Sequence, residues 1–223
     1  MDPTITLSGL DESVSTDQIK QLLEHPKVEF GLLYTATPEG RNRYPMMEWL
    51  ESTTRLAADR CSIHICGRGA RQALLEEKLE DLTIPAARIQ INGILTCEEV
   101  EQACALYPDH TIITQHHPRN AHLLEVAAKN HALLIDASGG EGITPSTWAR
   151  PKTTKDVGFA GGLGPTNLSR QLPNIAAEAA GRSFWVDMET SLRRDDWFSP
   201  KLASDVLAQF DAWARQASLR AAG

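Results

Sequence analysis

One carboxyl group is set apart by its neighbours. Asp136 closes the apolar run Ala132–Asp136 and is followed at once by a glycine-rich stretch, Gly139-Gly-Glu-Gly142. A carboxyl at such a junction can donate or accept a proton, while the purely structural role for it is to cap the next turn. A second glycine-rich turn runs from Gly158 to Leu168 and carries Gly161 and Gly162. Glycines there let backbone N–H groups approach an anion closely, and Pro165 at a first helical position would aim a helix N-terminus at the same place. Gln90 and Asn92 lie two apart, so they share one face of a strand. An inward polar pair needs partners, which points to a ligand cavity on that face. Metal chemistry is not indicated. Cys61, Cys66, Cys97 and Cys104 lack the two-residue spacing of a zinc knuckle or a thioredoxin-like site, and no two of the seven histidines stand at helical His-x-x-x-His spacing. We expect reduced cysteines acting as small core hydrophobes, no metal and no cofactor.

The elements that must hold these residues alternate along the chain. Short apolar runs occur at Ile5–Leu7, Val28–Tyr34, Cys61–Cys66, Arg88–Ile91, Thr111–Thr114, Ala132–Asp136, Val157–Ala160 and Phe184–Met188. Helical periodicity fills the intervals. Thr16 can cap a helix carrying Ile19, Leu22 and Leu23, and Met46, Met47, Leu50 and Leu56 form one face of the next. Arg71–Leu82, Cys97–Tyr107, Asn120–Asn130, Asn167–Ala180 and Pro200–Leu219 follow. Eight strands, each followed by a helix, predict a single (β/α)8 TIM barrel over residues 1–223, with an open doubly wound sheet as the other fold of this pattern. The first strand-to-helix turn, Ser8-Gly9-Leu10-Asp11, is not a dinucleotide fingerprint, which counts against the open sheet. A barrel places its site at the carboxyl ends of the strands. Those ends are Ser8, Tyr34, Cys66, Asn92, His116, Asp136, Gly161-Gly162 and Glu189.

Composition narrows the function classes. The 22 Lys and Arg against 29 Asp and Glu leave a net charge of −7, which argues against broad nucleic-acid binding. No apolar stretch approaches the roughly 20 residues needed to cross a bilayer, and the start lacks a basic and an apolar signal region. The expectation is a cytoplasmic protein acting on a small molecule, as a monomer or homodimer, with Trp185, Trp197 and Trp213 as candidates for an interface.

Several segments in order carry a family resemblance. They are Ile5-Thr-Leu-Ser-Gly-Leu10, Arg43-Tyr44, Gln90-Ile-Asn-Gly93, Leu134-Ile-Asp136 with Gly139–Gly142, Ala160-Gly-Gly-Leu163, and Val186-Asp-Met-Glu-Thr-Ser191. Together the chain resembles the phosphoribosylanthranilate isomerases, (β/α)8 barrels of tryptophan biosynthesis. The resemblance implies an Amadori rearrangement of an aminoaldose phosphate to an aminoketose phosphate. It implies Asp136 as general acid, which burial would help to keep protonated near neutral pH. Arg43 would hold a substrate carboxylate, a task suited to its planar fork of donors, with Arg41 a nearby competitor. Asn92, Gly142, Gly161, Gly162, Thr190 and Ser191 would complete the substrate site, with a phosphate near the last four.

Three departures from the family pattern bear on chemistry. Ser8 stands at the position of the family's basic cysteine, and a serine hydroxyl supplies no comparable anion at neutral pH without an activating base. His64, Cys66 and His116 are other candidates for that base. Asn92 stands where many members have histidine, and Glu189-Thr190-Ser191 where the family has Ser-Ser-Gly. A carboxylate near a phosphate repels it unless Glu189 points away or pairs with Arg193 or Arg194. The alternative function is therefore a diverged barrel that binds, or acts differently on, another small metabolite.

Overall fold

The computed structural model describes residues 3–38, 40–136 and 139–222. Eight parallel strands close into a barrel in chain order: β1 (Thr4–Ser8), β2 (Val28–Tyr34), β3 (Cys61–Ile65), β4 (Arg88–Ile91), β5 (Thr111–His116), β6 (His131–Ile135), β7 (Val157–Phe159) and β8 (Phe184–Met188). Strand β8 pairs back onto β1, with Ile5 opposite Val186 and Leu7 opposite Met188. The eight apolar runs of the sequence are these strands to within two residues at either end, and closure excludes the open sheet.

The helices depart further from the expected pattern. They are α1 (Thr16–Leu23), α2 (Met47–Ala57), α3 (Arg68–Leu75), α4 (Glu80–Thr83), α5 (Cys97–Leu106), α6 (Leu168–Ala179) and α7 (Pro200–Ala222). Ser15, not Thr16, caps α1: its side chain accepts from the Gln18 N–H while Gln18 reaches back to the Ser15 N–H. Met46 is 64 % exposed and only precedes α2, its N–H donating to Glu12 at 2.7 Å. The segment expected as one helix over 71–82 is two, because Glu77 takes a left-handed conformation with φ 55°. Pro118–Glu125 is a 3-10 helix instead of an α-helix over 120–130. Its Asn120 is fully buried and its amide donates to the carbonyls of Gly93 and Gln115, which ties that turn to the strand ends. Among the described residues, no helix follows β6 before β7. That connection holds Gly139, Gly140 and Gly142, all at positive φ, together with Pro145 and Pro151, a composition that resists helix. Pro165 likewise lies outside α6, whose cap is Asn167.

Strand residues of one parity face the helices and form the main core, among them Ile5, Leu7, Phe30, Leu32, Ile63, Ile65, Leu133, Phe159 and Val186. Helix α7 packs on this layer through Ala203, Val206 and Phe210. The opposite parity fills the barrel interior, and there the lining is divided. Ile113, Ala132, Leu134 and Trp185 make an apolar half. The other half is polar: Glu29 of β2 pairs with Arg88 of β4, Thr6 of β1 bonds to both, and the Arg88 guanidinium lies 4.4 Å from the Trp185 ring centre. Trp185 is therefore an interior residue, 5 % exposed, and not an interface candidate. Trp213 packs against Phe184 and Phe210, while Trp197 is 43 % exposed. Among the described residues, no helix is long and apolar enough to cross a membrane.

Two strand glycines make this interior possible. A Cβ on Gly158 would fall inside the indole of Trp185, and one on Gly31 would strike Ser8 Oγ and the His64 ring. Gly158→Ala is expected to displace the indole and destabilise the fold by about 1–3 kcal/mol or more, as overpacked core substitutions do. Denaturant unfolding of the variant checks this, and a change within about 0.5 kcal/mol would contradict it.

Candidate active site

A cavity of ≈ 890 Å³ opens at the carboxyl ends of the strands. Arg43, Asn92, Asp136, Gly142, Gly161, Gly162, Thr190 and Ser191 all line it. Ser8 does not: it is 1 % exposed, and its hydroxyl is turned onto Asp187, which does reach the cavity. His64 and Cys66 also line it, whereas His116 does not.

The floor is a chain of hydrogen bonds across β8, β1, β3 and β4. Ser8 Oγ donates to Asp187 Oδ1 at 2.8 Å. His64 Nε2 stands 3.8 Å from Asp187 Oδ2, and His64 Nδ1 lies 3.4 Å from the Gln90 amide nitrogen. Gln90 also donates to Asn92 Oδ1 at 3.0 Å, and Asn92 in turn donates to Cys66 Sγ at 3.3 Å. With Gln90 donating to Nδ1, His64 carries its proton on Nε2, the tautomer that this network assigns. Burial pulls the His64 pKa down to about 3, aided by the Arg88 charge, so the ring is neutral. Burial pushes Asp187 the other way, up to about 7. Glu189 and Glu29 add to that rise, while the Ser8 hydroxyl and Arg88 oppose it. Burial also pushes the Cys66 thiol up to about 11, which leaves little thiolate at neutral pH.

Asp187 is the residue that the sequence reading missed. It lies within Val186–Ser191, inside an apolar run and not at its end. Its signal is parity: it shares the inward face of β8 with Trp185 and is the one charged residue in Phe184–Met188.

Asp136 sits at the end of β6, 4 % exposed, with Gln115 Nε2 donating to Oδ2 at 3.4 Å and Gly139 N–H donating to its carbonyl at 2.9 Å. The turn after β7 is braced from both sides. Gly161 and Gly162 have φ of 120° and 57°, values that a side chain rarely adopts. A Cβ on Gly162 would lie 2.6 Å from the Gly142 carbonyl and from Thr144 Oγ1, so the loops after β6 and β7 touch there. Asn167 ties them further, donating to the Gly162 carbonyl at 2.9 Å and to Thr144 Oγ1 at 3.1 Å. Ser191 Oγ donates to the Leu163 carbonyl, and its side chain occupies the space beside Gly164.

Glu189 pairs with neither Arg193 nor Arg194. Its Oε1 accepts from Arg43 at 2.7 Å across the mouth of the cavity. Arg193 is engaged instead by Asp11 at 2.8 Å and by the carbonyls of Gly9 and Asp196. Burial still raises the Glu189 pKa, outweighing the pull of Arg43 and Arg193. Arg41 is exposed and does not line the cavity. Arg68 and Arg71 of α3 supply positive charge on the far rim, Arg71 donating to the Ile94 carbonyl at 2.8 Å.

No protein-family model matches the sequence, and no curated protein matches it. Solved structures do share its shape. Phosphoribosyl anthranilate isomerase from Thermus thermophilus superposes with a TM-score of 0.66 at 17% identity, covering 94% of this chain and 98% of that one. A phosphoribosyl anthranilate isomerase in complex with reduced 1-(o-carboxyphenylamino)-1-deoxyribulose 5-phosphate gives 0.65 at 14% identity, with coverage of 94% and 98%. A 3-hexulose-6-phosphate synthase gives 0.58 at 12% identity, with coverage of 94% and 99%. The chain thus has the closed (β/α)8 fold of these enzymes, and at such identities the likeness is one of fold.

Glu189→Gln leaves Arg43 in place and removes the carboxylate that faces it. Inorganic phosphate, titrated calorimetrically, is expected to bind the variant roughly tenfold more tightly, equivalent to about 1.4 kcal/mol. Unchanged affinity would mean that Glu189 does not govern anion entry.

Proposed function

We propose that this protein is an isomerase of the phosphoribosylanthranilate isomerase type, converting a small aminoaldose phosphate to the aminoketose phosphate. One observation carries the reading. A buried carboxyl, Asp136, faces the same cavity as the glycine turn after β7 and the Thr190–Ser191 turn after β8. Asp136 acts as the acid that opens the sugar ring, and the base is drawn from the floor, where Ser8 and Asp187 are joined. Gly161, Gly162, Thr190 and Ser191 surround the phosphate, with Gly142 on the adjoining loop; backbone N–H groups suit that task. Asn92 contributes an amide on the opposite wall, and Arg43 holds an anionic substituent of the substrate. That one structural neighbour was solved with a phosphorylated ligand supports this choice of substrate class.

A second reading is favoured by the Arg43–Glu189 pair. With its guanidinium already bound to a carboxylate at 2.7 Å, Arg43 is less available for a carboxylate on the substrate. This suits a diverged barrel that takes a phosphosugar lacking that group, or that binds one without turnover.

The fluorescence of N-(5′-phosphoribosyl)anthranilate decides between them. Wild-type protein is expected to abolish it catalytically, and Asp136→Asn to lower kcat/KM by about 10²- to 10⁴-fold. No turnover above background, even for Ser8→Cys, leaves the second reading. Full activity in Asp136→Asn would remove Asp136 from the acid role.

A further inference from the structure

We propose that Asp187 is the base that takes the proton from C2 of the substrate, and that Ser8 is its positioning residue. The assignment rests on the isomerase reading above and specifies its missing half. Asp187 lines the cavity floor, with the buried His64 ring beside it. Asp187 Oδ1 is taken by the Ser8 hydroxyl, while Oδ2 accepts no hydrogen bond among the described residues. Facing Oδ2 is His64 Nε2, a buried N–H with no hydrogen-bond partner among the described residues, at 3.8 Å. That gap is too long for a hydrogen bond.

Ser8 cannot fill the same role. Its hydroxyl is turned onto Oδ1 and has no face on the cavity, so any proton it took would first have to leave that bond. What Ser8 does is fix the carboxylate and stabilise its charged form. The groups facing Asp187 are Ser8 on β1, Glu29 on β2, His64 on β3, Arg88 on β4 and Glu189 at the end of its own strand. Glu29 and Arg88 are a bonded pair and oppose one another, so burial sets the balance and keeps the carboxyl titrating near neutrality. Strands β6 and β8 flank β7, which puts Asp136 and Asp187 about 10 Å apart as two strand spacings, with room for a sugar chain between them.

The steps balance without an oxidant or reductant. Asp136 gives its proton to the ring oxygen as the C1–O bond breaks and the nitrogen lone pair forms C1=N. Asp187 takes the C2 proton, and the C–H electrons form C1=C2 and neutralise the nitrogen. Asp187 then returns its proton to C1, while the C2 hydroxyl releases its own to water and becomes the ketone, and Asp136 regains a proton from water.

The test uses kcat/KM for N-(5′-phosphoribosyl)anthranilate between pH 5 and 9. A base must be ionised, so wild-type activity is expected to rise as pH passes through about 7. Asp187→Asn, which keeps the hydrogen bond from Ser8, is expected to lose about 10²- to 10⁴-fold at every pH. Ser8→Ala is expected to keep activity at high pH and to move the rising limb upward by roughly one pH unit, because it removes the donor that favours the charged form. Thermal unfolding at pH 5.5 confirms that both variants are folded. If Asp187→Asn retains more than a tenth of the activity, or if Ser8→Ala is inactive at every pH while folded, the assignment is overturned and the isomerase reading stands. If the wild type itself converts nothing, the isomerase reading falls and takes the assignment with it.

Discussion

The buried pair of Glu29 and Arg88 is the constraint around which the barrel interior is built. Closing eight strands forces every second residue into a narrow space that the helices cannot reach, and in this chain Glu29 and Arg88 are paired there. Asp187 on β8 is a further ionisable inward residue. An ion taken out of water is tolerated only when its partners are well placed, and removing one member of such a pair costs about 3–5 kcal/mol. Here Glu29 receives Arg88 through two nitrogens and Thr6 through its hydroxyl. Arg88 in turn rests against Trp185, and Trp185 needs the bare backbone of Gly158 opposite it. One ion pair therefore determines residue types on five strands. It also divides the interior, leaving the polar half beneath one side of the cavity and the indole beneath the other.

The chemistry above inherits that division. Because the ion pair is internally neutral, it delivers no large field to the floor, and burial governs the titration of both His64 and Asp187. The same burial acts on the two with opposite sign, since it disfavours the charged form of each. The outcome near neutral pH is an uncharged imidazole beside a carboxyl able to change state. Higher up, the mouth follows another logic. Arg43 and Glu189 neutralise one another over the rim, while Arg193 is spent on Asp11 beneath the β1 turn. The net charge of −7 is thus compatible with an anionic ligand, because Glu189 is locally paired with Arg43 and the cavity lining also holds Arg68 and Arg71.

Much of the fold was legible because strands announce themselves twice, by apolar runs and by the turns that end them. Arg88–Ile91 and Phe184–Met188 were read to the residue. Helices were less legible where one residue outside the periodic pattern decided the matter: Glu77 in a left-handed conformation ends α3, and Asn120 pins the segment after β5 to two carbonyls. The candidate site was readable at strand ends and unreadable inside strands. Asp136 and the glycine turns break an apolar run, so they draw notice. Asp187 sits within one, and only the pairing of Thr6 with Asp187 and of Ser8 with Gly31 around the closed barrel shows what it meets. The Arg43–Glu189 pair joins residues 146 positions apart and has no signature in sequence.

The serine at position 8 and the aspartate at position 187 are best understood as one choice. A thiol at position 8 would be a poor donor to Asp187 and, once ionised, a second negative charge against it. Two like charges at that distance cannot both exist in a buried site, so either the thiolate or the carboxylate is suppressed. A hydroxyl removes the conflict, since it stays neutral and spends its proton on stabilising the carboxylate. Gly31 opposite leaves the space that lets Ser8 and the His64 ring lie close enough for this. A serine at position 8 therefore reads as the absence of an ionisable group only when that position is considered alone. Considered with Asp187, Gly31 and His64, it is the donor to a buried carboxyl one strand along the barrel wall.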